Sequence, residues 1–313
     1  MSDIWSWQPE QASRTDQPVS LLHLEGPGSL RFLHGQTTAA IENVATGSWI
    51  PSCCTSPTGR MRAVVDVWIG GAPAEQEAAA GQGAWLMIHG PSQSTGLALH
   101  QCLDRVLFPA DRVKLGPLEA ATWITPIGSG LEPFLQREGA ALAKEIAALT
   151  CLGPMDQERW RIQQGLPTEP AEINDHTNPF ELGLADRVSL GKGCYLGQET
   201  LAKLATYDGV KQQLRRWHCR LENPSSSPLL APGQLLWSND QVKAGLITSS
   251  LAIGSGQWIG LALVRRQALG QECLMARDVN QLADPKPLGG QLTLYLSQAP
   301  SFSAIPIGAG GNG

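Results

Sequence analysis

The residues able to do chemistry in this 313-residue chain concentrate in one run, Leu190-Gly191-Lys192-Gly193-Cys194-Tyr195-Leu196-Gly197-Gln198-Glu199-Thr200. Its three glycines let the backbone turn tightly and approach another segment or a ligand closely. Residues 198–204 read as the start of a helix, and Glu199 in the first turn suits the positive end of the helix dipole. A thiol on such a loop, ahead of a helix N-terminus and beside Lys192, sits where thiol pKa values fall. Three readings of Cys194 stand together: an inert buried side chain, a functional thiol, or a metal ligand needing partners from elsewhere. Lys192 is read either as a solvated loop charge or as the cation that favours the thiolate. Tyr195 reads as a packing residue, and Gln198 and Glu199 as residues that fix the loop to the helix start.

Other chemistries find little support. The seven cysteines are odd in number and include no C-x-x-C pair, and the six histidines are scattered, so no metal is expected to be held by this chain alone. The remaining cysteines are expected to be reduced and mostly buried, Cys54 among them as a structural residue. Gly254-Ser255-Gly256 followed by Gly260 has the wrong spacing for a dinucleotide loop and reads as a β-turn. A net charge of −5 argues against broad, sequence-independent binding of nucleic acid. No signal peptide is read in the first ten residues and no apolar run is long enough to span a membrane, so a cytoplasmic protein without a membrane partner is expected.

Two textures position these residues. In the first, strands are expected at residues 19–24, 49–54, 61–69, 84–88, 113–115 and 122–127. Met61, Ala63, Val65, Val67 and Ile69 should share one face of the third of these, with Asp66 on the other. Helices are expected at residues 30–34 behind Ser29 as N-cap, in a short turn ending near Ile41, and over 93–107, 138–149 and 155–164. Residues 71–83 read as an exposed loop. This order predicts an α+β class with helices packed on mostly antiparallel sheets. In the second texture, β-like runs at 214–221, 234–237, 244–249, 258–264 and 292–296 predict a small barrel or sandwich. The boundaries are placed at residues 1–208, 209–300 and a disordered tail over 301–313, whose last six residues are almost all glycine.

Lys192-Gly193-Cys194-Tyr195-Leu196-Gly197-Gln198-Glu199 resembles K-G-C-[aromatic]-x-G-Q-E, the signature of the YgfZ family of folate-binding proteins, relatives of the glycine-cleavage T-protein (aminomethyltransferase). Further motifs resemble the family in order. They are Phe32-Leu33-His34-Gly35-Gln36-Thr37-Thr38, the turn Cys54-Thr55-Ser56-Pro57-Thr58-Gly59-Arg60 with one extra residue before its proline, Arg161-Ile162-Gln163-Gln164-Gly165-Leu166-Pro167, and the segments from Gly245 and Gly260. The likeness spans roughly residues 18 to 266.

The resemblance implies a T-protein-like ring of α+β modules around a central folate channel, closed by a C-terminal β-barrel. It makes the loop of Lys192, Gly193, Tyr195, Gly197, Gln198 and Glu199 one wall of that channel. It also implies that Glu181, in Asn178-Pro179-Phe180-Glu181, reads the pterin, because one carboxylate offers two acceptors to the adjacent N–H groups of the pterin edge. Arg187, Lys192 and Lys203 are candidates to meet the anionic glutamate tail. T-protein places an acid soon after its P-x-G turn; counting onward from Gly59 reaches Val64, with Asp66 two residues further on the same face. The implied role is therefore a tetrahydrofolate-binding accessory protein for the assembly or repair of iron–sulfur enzymes. Its partners would be those client enzymes or their assembly factors, its effect on tRNA modification would be indirect, and no nucleic acid would be bound directly. The alternative is a folate-dependent aminomethyl- or methyltransferase in which Asp66 supplies the acid, so whether the protein is an enzyme stays open.

Overall fold

Alternating apolar residues build most of the first half. The computed structural model describes residues 3–71, 73, 83–90, 93–221, 230–254, 256–277 and 291–305. In chain order the N-terminal region contains β1 (Ser13–Glu25), α1 (Ser29–Gln36), β2 (Trp49–Thr55), β3 (Met61–Ile69), β4 (Gly83–His89), α2 (Gln93–Arg105), β5 (Lys114–Ile127), β6 (Phe134–Arg137), α3 (Lys144–Ala147), β7 (Thr150–Cys151), α4 (Pro154–Gln164) and α5 (Gln198–Thr206). The strands form one sheet in the order β2-β3-β4-β1-β5-β6, antiparallel throughout, with the short β7 added in parallel to β1. One face carries Leu22, Leu24, Val65, Val67, Leu86 and Ile88 under Phe32 and Leu33 of α1 and Leu99 and Leu103 of α2. On the other face Leu21, Met87 and Trp85 gather with the partly buried Trp49, Trp68 and Trp123.

The second region, β8 (Gln212–Arg220), β9 (Leu235–Trp237), β10 (Lys243–Gly254), β11 (Gln257–Arg265), β12 (Cys273–Arg277) and β13 (Gln291–Ser297), is a closed barrel in the order β10-β11-β8-β13-β12-β9. Closure removes every exposed edge. Trp217 fills its interior, fully buried, and donates its indole N–H to Leu261 O at 3.0 Å. The two regions meet in an apolar seam that includes Met61, Val64, Ile162, Leu182, Leu251 and Ile259. A buried polar bridge crosses the junction: the Arg161 guanidinium donates to Ser249 Oγ at 2.7 Å, and Ser249 donates to the fully buried Glu172 at 2.7 Å. No helix among the described residues is long and apolar enough to cross a membrane.

The fold class and the barrel are as expected; several elements are not. Met61 leaves the Ala63–Val65–Val67 face because a bulge at Arg62, where Cys54 faces Ala63 and Thr55 faces Met61, shifts the alternation by one. The expected strands at 113–115 and 122–127 are one strand, β5, since its pairing with β1 absorbs a bulge. The helix expected over 138–149 shrinks to the four residues of α3, and β6 and β7 flank it. Ser29 is the first residue of α1 and not its cap; its hydroxyl donates back to Leu24 O and Gly26 O, each at 2.8 Å. No helix follows to Ile41, because Thr37 turns extended. Residues 301–305 are not a loose tail: Phe302 packs in the seam, and Ser303 forms a parallel bridge with Leu184. Most of the loop expected at 71–83, and residues 308–313, lie outside the described residues.

Gly260 is where the barrel leaves no room. A β-carbon there would lie 2.1 Å from Ser249 O and 2.4 Å from the Trp217 ring. Gly260→Ala is expected to lower unfolding free energy by about 1–3 kcal/mol, as overpacked cores do, measured by urea denaturation against the wild-type chain.

Candidate functional site

The glycine loop is held by its lysine. Lys192 is buried, and its ammonium donates to His34 O at 2.6 Å, Thr37 O at 2.6 Å and Ala39 O at 2.7 Å. These carbonyls lie at and beyond the C-terminus of α1, where helix oxygens lack intrahelical partners and the dipole favours a cation. The ammonium also sits 4.6 Å from the centre of the Tyr195 ring. Burial draws the lysine pKa down to about 8. Lys192 is therefore neither the solvated charge nor the tail-binding group considered from sequence; it is spent on backbone carbonyls.

The remaining residues of the run close the seat. Leu196 N donates to Gly35 O at 3.0 Å, Thr55 Oγ1 to Leu196 O at 2.7 Å, and Gln198 Nε2 to Lys192 O at 3.0 Å. Gly197, at φ +86°, lies so close to the 55–59 turn that a β-carbon would be 2.6 Å from Ser56 O. The three N-terminal and central motifs, distant in sequence, thus lock together. Tyr195 is a packing residue beside Phe180, Leu201 and Val210, its phenol pushed up to about 12 by burial. Glu199 pairs with Lys203 at 2.7 Å on the surface, so Lys203 is already engaged as well. Gly193 and Cys194 are exposed. Cys53, Cys54 and Cys219 are buried, with burial pushing the Cys53 thiol up to about 12 and Cys54 higher still, whereas Cys151 is exposed, contrary to the expectation for it.

Behind this loop, between the sheet and the chain running from α4 to the barrel, is a cavity of about 260 Å3. It is lined by Val64, His89 and Trp123 from the sheet and by Glu169, Ile173, Leu184, Asp186 and Arg187 from the facing segment. Thr38 Oγ1 accepts Cys53 N at 2.9 Å and donates to Arg187 O at 2.6 Å, which ties that segment to the end of α1. The Arg187 side chain donates to Asp66 Oδ1 at 2.8 Å, while Asp66 Oδ2 meets His89 Nε2 at 2.6 Å. Burial alone would raise the Asp66 carboxyl, but its hydrogen bond with His89 and the interaction with the Arg187 guanidinium outweigh it and hold the pKa below its ordinary value. Val64 lines the cavity where an acid was sought; the bulge at Arg62 lies between Gly59 and this stretch, and from Val64 to Ile69 β3 pairs regularly with β4.

Of the residues singled out from sequence, Arg187 lines this cavity. Glu181 lines another, of about 560 Å3, with Arg60, His176, Lys211, Gln212, Arg265 and Arg266. Its carboxylate accepts Asn178 N at 3.2 Å and lies 3.8 Å from Arg60 Nη1; burial raises its pKa. The structure thus separates the thiol, the glutamate and the arginine that sequence reasoning grouped in one channel. His89, Trp123, Glu169 and Asp186 were missed. A histidine directly before Gly90-Pro91 at a strand end was the available signal, but its pairing with Val64 is a tertiary fact. Among the described residues no group of three or more His, Cys, Asp or Glu side chains could hold a metal ion.

The glycines of the run should differ sharply on substitution. Gly197→Ala imposes a strained backbone and a clash, and is expected to cost about 2 kcal/mol or more. Gly193→Ala, with no atom within 4 Å of the added carbon, should leave the melting temperature within about a degree of wild type. Thermal unfolding of the two variants checks both.

Comparison with known proteins bears on the fold. No protein-family profile matches the chain. It is 26% identical over 317 aligned residues to the chloroplastic At1g60990 protein of Arabidopsis thaliana, whose name provisionally calls it a transferase, covering 85% of this chain and 68% of that one. It is 23% identical over 254 residues to a Haemophilus influenzae protein of unassigned function, covering 78% of this chain and 85% of that one. The crystal structure of glycine cleavage system aminomethyltransferase T from Bartonella henselae superposes with a TM-score of 0.70 at 12% identity, covering 95% of this chain and 88% of the other. The chain therefore has the fold of the glycine-cleavage aminomethyltransferases, a mixed sheet region completed by a closed C-terminal barrel.

Proposed function

We propose that this protein binds a tetrahydrofolate without transferring an aminomethyl group, and acts as an accessory to iron–sulfur enzymes. The observation that carries the reading is the state of its acids at the central cavity. Val64 stands where the fold's transfer chemistry would want a carboxylate, and the neighbouring Asp66 has both oxygens committed, to Arg187 and to His89. With Val64 at that position and Asp66 committed, β3 offers no free carboxylate to the cavity, which supports ligand binding over aminomethyl transfer; the other carboxyls of the lining, Glu169 and Asp186, lie on the facing segment. Cys194, exposed on a rigidly seated loop outside that cavity, suits contact with a client protein or its damaged cluster better than attack on a bound folate. The resemblance of its loop to the YgfZ signature supports the iron–sulfur assignment, with any influence on tRNA modification passing through a client enzyme.

The transferase name of the Arabidopsis relative favours a second reading, a folate-dependent transferase in which Asp66 is released by movement of Arg187. Calorimetry with tetrahydrofolate, followed by incubation with a methylene-group donor, separates the two: binding without turnover is expected, and measurable turnover would establish the second reading. Cys194→Ser should retain folate binding but fail to restore iron–sulfur enzyme activity in cells lacking the protein. Full restoration would remove the thiol from the function.

A further inference from the structure

The most constrained polar group facing the central cavity is His89. On the β3–β4 ladder it lies directly opposite Val64, and Asp66, two residues along on the same face of β3, reaches it diagonally. The hydrogen bond between Asp66 Oδ2 and His89 Nε2 is 2.6 Å long, and the second carboxylate oxygen accepts Arg187 Nη1 at 2.8 Å. The same arginine nitrogen lies 3.2 Å from Val65 O, so the guanidinium is anchored to the sheet as well as to the acid. An ionised carboxylate can only accept, so the proton on the ring resides at Nε2. In the neutral ring Nδ1 is then a lone pair, and among the described residues nothing donates to it. The Trp123 ring stands edge-on to the imidazole, 6.5 Å away at 83°, and limits how far it can tilt.

The rest of the wall has the same polarity. Glu169 accepts the Thr95 hydroxyl with one oxygen, leaving the other, and Asp186 adds a second carboxyl. Arg187, the cation of the cavity, is committed to Asp66. The remaining surface mixes apolar side chains, Val64, Trp123, Ile173 and Leu184, with the amide of Gln17 and the hydroxyls of Thr125, Thr168 and Ser301. Such a cavity, with its arginine committed and carboxyl groups on its wall, favours a ligand that brings N–H donors over an anion.

We propose that His89, held in one tautomer by Asp66, is the ligand-selecting residue of this cavity, accepting a hydrogen bond from the ring N–H or amino group of a donor-rich heterocycle. Asp66 is the positioning residue. The inference deepens the folate reading on which it rests: the pterin head, with its amino and ring N–H groups, enters the cavity at His89.

The test uses the full chain labelled with 15N-histidine, titrated with pterin and with tetrahydrofolate, together with calorimetry on His89→Phe and Asp66→Asn. In the wild type His89 is expected as the Nε2–H tautomer, and its Nδ1 resonance moves upfield when pterin binds, a readout that does not depend on any variant folding. His89→Phe should bind tetrahydrofolate about tenfold or more weakly, because a buried donor of the ligand loses its acceptor. Asp66→Asn should mix the two tautomers and weaken binding by less. If tetrahydrofolate binds the wild type while the Nδ1 signal stays still and His89→Phe keeps full affinity, the role of His89 is overturned and the folate reading stands. If pterin moves the Nδ1 signal but tetrahydrofolate does not bind, the folate reading falls and His89 keeps its role. No response to either ligand overturns both.

Discussion

An ammonium group taken out of water and shared among three carbonyl oxygens is the contact on which the site depends. A buried charge is costly unless its hydrogen bonds are met, and Lys192 meets them with the backbone at the end of α1, where oxygens would otherwise lack donors. Both sides of the exchange gain: the helix C-terminus receives a cation, and the lysine receives three short acceptors. The consequence is mechanical. A loop more than 150 residues further along the chain is pinned to α1, and the glycines on either side can then seat against the 55–59 turn.

From that pin the geometry of the cavity follows. The segment running into the glycine loop carries Arg187, whose carbonyl accepts from Thr38 and whose guanidinium reaches Asp66 on β3. Asp66 in turn orients His89 on β4. A chain of charge-assisted contacts thus runs from the signature lysine's neighbourhood to the cavity wall, and each step uses up a group that might otherwise have done chemistry. The acid becomes a holder of histidine, the arginine a holder of acid. What faces the cavity is His89 among the carboxyl groups of Glu169 and Asp186, while the Cys194 thiol is exposed outside it.

Local pattern made much of the fold legible. The short, mostly apolar runs of β3 and β4, the helix spacing of α2, and the Gly165 that stops α4 in a left-handed turn at φ +78° all express short-range preferences. The failures share a cause. Met61 was placed on the wrong face because a bulge depends on the partner strand, and the region around α3 was read as a long helix because its alanines favour one until β6 and β7 claim the flanks. Five of the six barrel strands were legible, β12 was not, and the pattern did not separate a barrel from a sandwich, since closure depends on which strands meet at the ends.

The sequence by itself determined that this chain carries a glycine-rich thiol loop, an α+β region followed by a β region, and no acid five residues beyond the Gly59 turn. Those are properties of residue identity and spacing, and folding cannot alter them. Tertiary structure alone decided what each charged residue faces. Lys192 meets helix carbonyls instead of the thiol, Glu181 lines a cavity apart from Arg187, and His89, unremarked in the sequence, becomes the oriented group at the centre. The physical reason is that a side chain's chemistry is set by the partners and the burial it acquires, and those come from segments far away in the chain.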